Sequence, residues 1–174
     1  MALAVCLLFD AAADRALRTL WTRLEEAGVP TLLSHTHRHH VPHLSYAVLR
    51  TYEVDAVRDA VTALPDGGPV TLHADALGLF RRGRASLVPS LTSQLAVRQE
   101  RVVEASVGTG ADLHRNYRPG AWVPHVSLAT RARLGDLPAV AALAYTVLPM
   151  RLHVSHAALV DSSTGERWPL PVIP

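Results

Sequence analysis

Not one lysine occurs in the 174 residues: all 17 basic side chains are arginine, set against 15 acidic ones for a net charge of +2. Arginine is the better planar, bidentate partner for phosphate, but total absence of lysine reads as a genome-wide codon bias and assigns no partner by itself. The single cysteine, Cys6, excludes an intramolecular disulfide. Its setting in L-A-V-C-L-L-F fits a buried strand in a reducing compartment better than a nucleophile. Aromatic residues make up only 5% of the chain, too few for an extended platform on which a nucleic acid strand would stack. Long apolar runs are also missing. The N-terminal stretch has no basic flank and ends at Asp10, so it is too short for a membrane span and ill-formed for a signal peptide, and a first β-strand is expected there. No low-complexity segment or linker interrupts a length that suits one domain with its own core.

What the chain does have is a phrase used twice, V-P-H-L-S at Val41 to Ser45 and V-P-H-V-S at Val123 to Ser127. Side chains of a strand alternate between faces, so His43 and Ser45 share one side while Leu44 turns to the other, and the same holds for His125 and Ser127. The residues that follow, Y-A-V-L and L-A-T, continue a strand, and proline is tolerated at a strand's first position.

Strands and helices alternate around these phrases. Asp10 caps a helix with Leu17, Leu20, Trp21 and Leu24 on one face, stopped by Gly28 and Pro30. The first His strand is expected at about 43 to 50. Residues 53 to 64 place Val54, Val57, Val61 and Leu64 on a second helical face. Two strands joined through Arg81, Arg82, Gly83 and Arg84 come next, then a polar helix near 92 to 106 and the second His strand. Asp136 starts a short alanine-rich helix, a strand from Met150 follows, and D-S-S-T-G-E turns into a last strand. The order of elements repeats, with Leu72-His73 and Leu152-His153 at similar offsets beyond the two motifs. We read an α+β fold: one domain of two intertwined lobes, about 1–90 and 91–174, related by a pseudo-two-fold axis, with two antiparallel sheets flanking a central cleft and helices outside. In that arrangement the two His strands face each other across the cleft.

Two imidazoles and two hydroxyls suit in-line displacement at phosphorus. One histidine takes a proton from the attacking oxygen, the other gives one to the departing oxygen, and the hydroxyls donate to the non-bridging oxygens. No metal is needed for those roles. The paired motifs His43-Leu44-Ser45 and His125-Val126-Ser127, each led by Val-Pro, resemble the His-x-Ser/Thr motifs of the 2H phosphoesterase superfamily. The similarity is to its 2'-5' RNA ligase-like members, also described as RNA 2',3'-cyclic phosphodiesterases, and it spans essentially the whole chain. It implies that His43 and His125 are the catalytic acid and base and that Ser45 and Ser127 bind phosphate oxygens. Many members carry threonine at the latter positions; serine keeps the hydroxyl and loses the β-branch. The activity implied is hydrolysis of a 2',3'-cyclic phosphate on an RNA end or nucleotide to a 2'-phosphate, with 2'-5' ligation as its reverse. The single cysteine fits the cytoplasm, and a monomer without cofactor, membrane or obligate protein partner is expected.

Other features have weaker claims. Arg81 and Arg84, with Arg82, form a basic hairpin that could face an RNA backbone, and Phe80, Tyr117 or Trp122 could stack on a base. His73 and His153 read as structural. S-H-T-H-R-H-H, holding His35, His37, His39 and His40, has the outline of a metal-hydrolase motif, but His39 stands where that motif requires aspartate, so a polar loop is expected. A catalytically silent RNA- or nucleotide-binding module of the same fold is the other alternative.

Overall fold

The computed structural model describes residues 2–174. Its elements are β1 (Leu3–Phe9), α1 (Ala11–Glu26), β2 (His43–Leu49), α2 (Val54–Thr62), β3 (Val70–Phe80), β4 (Arg84–Pro89), α3 (Ser93–Gly108), β5 (Val126–Ala129), α4 (Leu137–Tyr145), β6 (Met150–Asp161) and β7 (Arg167–Leu170). The order β-α-β-α-β therefore occurs twice, as β1 to β3 and again as β4 to β6. The fold is α+β, with all pairings antiparallel.

The two expected sheets are seamed into one. Strand order is β1-β2-β5-β4-β3-β6-β7, and β1 pairs with β6 as well, so the ladders of β1 to β6 run in a closed ring. Exchanging β1 with β4, β2 with β5 and β3 with β6 maps every pairing of the ring onto another: β1–β2 onto β4–β5, β1–β6 onto β4–β3, and β2–β5 and β3–β6 onto themselves. The pseudo-two-fold axis thus passes between β2 and β5. This changes the placement of the motif strands, which are hydrogen-bonded neighbours and not partners across a gap.

Local sequence explains the elements. Asp10 caps α1 by accepting from the Ala13 amide at 2.8 Å, and Thr92 caps α3 by accepting from the Leu95 amide at 3.2 Å, each satisfying a donor that the first helical turn leaves free. The faces read from periodicity are the buried ones: Leu17, Leu20, Trp21 and Leu24 of α1, and Val57 and Val61 of α2. These helices pack on one side of the sheet with Leu3, Val5 and Leu7. The alternate residues Ala4, Cys6 and Leu8 face the other way, into a smaller cluster with Ala158 and Val160. That second face carries the motifs. No described helix is long and apolar enough to cross a membrane.

Candidate active site

Strands β2 and β5 pair at Leu44↔Val126. Continuing that register by one residue sets His43 opposite Ser127 and Ser45 opposite His125, with Pro42 and Pro124 just before the two strands. Prolines have no N–H, so the ladder ends just beyond the motif on both sides. Directly opposed residues point to the same face and lie about 5 Å apart, with diagonal neighbours at about 7–8 Å. The four side chains therefore form a quadrilateral, imidazoles on one diagonal and hydroxyls on the other. A phosphate centred on it would be flanked by an imidazole at either end.

The Val-Pro lead-in sets each ring. Nδ1 of His43 lies 2.7 Å from the Val41 carbonyl, and Nδ1 of His125 lies 2.8 Å from the Val123 carbonyl. A carbonyl only accepts, so both Nδ1 atoms donate and both Nε2 atoms are left for chemistry. The residue before a proline is held extended, which is why the same three letters build the same bond twice. Burial holds both imidazoles below the ordinary histidine value of 6.5, opposed by the hydrogen bond to Val41 in His43 and to Val123 in His125; the charge of His125 lowers His43 further, and Arg84 lowers His125.

The Ser45 hydroxyl is supported from outside the motif. Ser45 is 8% exposed and shares a hydrogen bond of 3.5 Å with the Cys6 thiol. Cys6 stands opposite Ser45 as Ser86 stands opposite Ser127, so Cys6 and Ser86 are equivalent positions of the two halves. Burial pushes the Cys6 thiol up to about 12, against the Ser45 hydrogen bond, so it is a neutral neighbour and not a nucleophile. Two buried tryptophans brace the motif backbones crosswise. Trp122, in the second half, donates its indole N–H to the Ser45 carbonyl at 3.1 Å, and Trp21, in the first half, donates to the Ser127 carbonyl at 2.9 Å.

The remaining sequence candidates separate here. Arg84, at the start of β4, lies close enough to influence His125, Tyr117, His35 and His114. Tyr117 and Phe80 stand 6.4 Å and 5.2 Å from the His125 ring, centre to centre. Burial pushes the Tyr117 phenol up to about 12, with Ser45 beside it acting in the opposite direction, so Tyr117 stays a neutral donor. Arg81 and Arg82 stay on the exposed hairpin turn. Trp122 corrects an expectation: at 6% exposure, packed 5.8 Å from the Tyr46 ring and bonded to Ser45, it has no open face for a base. Trp21 and Cys6 were hidden because only long-range pairing brings them to the motifs.

His73 and His153 are exposed on β3 and β6, in line with a place outside the quadrilateral. In the 35–40 loop the imidazoles lie against one another, His37 tilted against His40 at 4.0 Å and His35 stacked on His40 at 5.7 Å, centre to centre. Among the described residues no group of three or more histidine, cysteine or acidic side chains is arranged to hold a metal ion. His40 is pushed down to about 4, first by burial and then by His37, His43 and His35, which puts this loop against the His43 end of the site.

A family model described as the 2'-5' RNA ligase superfamily matches residues 10–166. Among solved structures, E. coli LigT in its apo form is 17% identical, with a TM-score of 0.62 over 97% of this chain and 94% of that one. E. coli LigT complexed with 3'-AMP is 16% identical, with a TM-score of 0.61 over 97% of each chain. Kluyveromyces marxianus Usb1 with uridine monophosphate is 11% identical, with a TM-score of 0.53 over 98% of each. At these identities the likeness is one of fold. No curated protein matches the sequence.

Proposed function

The chain belongs to the 2'-5' RNA ligase superfamily, and from that premise we propose that it is a metal-independent phosphodiesterase opening 2',3'-cyclic phosphates at RNA ends or on nucleotides. The observation that carries the reading is the quadrilateral: two imidazoles with free Nε2 atoms on one diagonal, two seryl hydroxyls on the other, on one sheet face.

One histidine, neutral, accepts a proton from water through Nε2 as the water oxygen bonds to phosphorus. The other, protonated, gives its Nε2 proton to the departing 3'-oxygen as that P–O bond breaks. The product is a 2'-phosphate beside a 3'-hydroxyl, and the two rings exchange protonation states over the turnover. Ser45 and Ser127 donate to the non-bridging oxygens, where negative charge grows, and Arg84 adds a fixed positive charge on the His125 side. Phe80 and Tyr117 supply apolar ring surface beside His125 for the attached nucleoside. With the 5'-hydroxyl of a second RNA end in place of water, the same step forms a 2'-5' linkage.

The test is incubation with 2',3'-cyclic nucleotides and cyclic-phosphate-ended RNA, with and without EDTA, with the product resolved as 2'- or 3'-phosphate. Turnover to the 2'-phosphate that persists in chelator is the expected result. A chain that turns over none of these substrates is not this enzyme.

A further inference from the structure

A second basic site lies at the end of β1 where the chain turns into α1, two strands from His43. Leu8 of β1 stands opposite His43 on β2 and opposite His156 on β6. His156 is thus two strand spacings from His43, about 10 Å, and points to the same side. Arg167 of β7 stands opposite Val160, a member of the cluster that holds Leu8, so its side chain also leaves from that face. A recess of about 450 Å³ opens here at the rim of the sheet, lined by Arg15 and Arg18 from the first half of α1 on one side, and by Arg167, His156, Val41 and Pro42 on the motif side.

The charges in this recess do not balance. Three guanidinium groups meet a single carboxylate, Asp14, and Arg18 already holds that one at 2.7 Å. Arg18 also donates to the His40 carbonyl at 3.3 Å, fixing the loop that leads into the motif. Among the described residues Arg15 and Arg167 have no ion-pair partner, and both are exposed. Nδ1 of His156 shares a 2.7 Å hydrogen bond with the Ser155 hydroxyl, which leaves Nε2 to reach into the recess. Guanidinium forks with unused donors are suited to phosphate oxygens.

We propose that this recess binds the phosphodiester next to the reacting phosphate, so that an oligonucleotide end is held more tightly than a free nucleotide. The proposal rests on the cyclic-phosphate reading of the His43 and His125 site. The polynucleotide enters over β1 and β6, with its terminal phosphate at the quadrilateral and the preceding phosphate against Arg15 and Arg167.

Fluorescence anisotropy tests it with a labelled tetranucleotide ending in a 2'-phosphate and with a nucleoside 2'-monophosphate as competitor, on wild type and on Arg15→Gln/Arg167→Gln. Losing charged donors to one phosphate should weaken the tetranucleotide roughly ten- to a hundred-fold, leave the mononucleotide within about two-fold, and flatten the salt slope by about 0.7. Arg167→Glu, with the same thermal midpoint as wild type, should weaken the tetranucleotide further. Equal losses for both ligands, no loss, or a wild type that holds the tetranucleotide no tighter than the mononucleotide would overturn the site. Turnover of 2',3'-cyclic mononucleotides, followed in parallel, reports on the phosphodiesterase reading separately: it persists in the double variant if only the recess has been lost.

Discussion

Replacing Trp122 by phenylalanine should damage the Ser45 motif from behind. The ring is 6% exposed and its N–H is donated to the Ser45 carbonyl at 3.1 Å. Phenylalanine keeps an aromatic body but has no donor, and a buried carbonyl left without its partner costs about 1–3 kcal/mol. The missing part of the indole leaves a void worth about 1–2 kcal/mol more, a fraction of the cost of full truncation. A loss of roughly 2–5 kcal/mol is within the reserve of an ordinary domain, so the variant folds, with a thermal midpoint roughly 5–20 °C lower. Leu134→Ala, at an 87% exposed site, is the control and should change stability by less than about 0.5 kcal/mol. Because the carbonyl and the hydroxyl belong to one residue, misplacing the first misplaces the second, and kcat should fall about ten-fold or more with KM little changed. Trp21→Phe should do the same through Ser127. A Trp122→Phe protein with wild-type stability and wild-type kcat would refute the brace.

Acid should destabilise the fold. His35, His37, His40, His43, His114 and His125 are all held below 6.5, chiefly by burial, so below pH 6.5 the unfolded chain binds more protons and stability falls with falling pH, down to about 4 for His40. Thermal midpoints at pH 7.5 and 5.0 read this, and equal midpoints would contradict it. For the same reason kcat/KM should peak on the acid side of pH 6.5, since one imidazole must be charged and the other neutral; a rate that climbs steadily to pH 8 would not fit. Gly83→Ala should cost about 2–4 kcal/mol by denaturant titration, because φ is +70° there and a Cβ would run into the Ala132 carbonyl; an unchanged midpoint would show that the turn before Arg84 is not constrained. Cys6 should resist iodoacetamide at pH 8 until denaturant is added, and fast native alkylation would contradict its burial.

The parts legible in the sequence were those written in local periods. The alternation of His43-Leu44-Ser45 told which side chains share a face, the 3.6-residue spacing of Leu17, Leu20, Trp21 and Leu24 told which side of α1 is buried, and the repeated order of elements told that the fold is duplicated. Pairing between distant strands has no local signature. The adjacency of β2 and β5 therefore had to come from the structure, and with it the diagonal placement of imidazoles and hydroxyls. Trp122 shows the limit most plainly: an aromatic residue near a candidate site suits stacking on sequence grounds, and only its burial against Tyr46 and its bond to Ser45 reveal a brace. Cys6 was legible as a buried strand residue, but its place opposite Ser45 was not.

The central claim, that two imidazoles on one diagonal share the acid and base roles, is tested most directly by kcat/KM on a 2',3'-cyclic nucleotide for wild type, His43→Ala and His125→Ala. Each single variant should lose about 10²–10⁴-fold, with a thermal midpoint that shows it folded. Full activity in either variant would contradict the two-histidine mechanism.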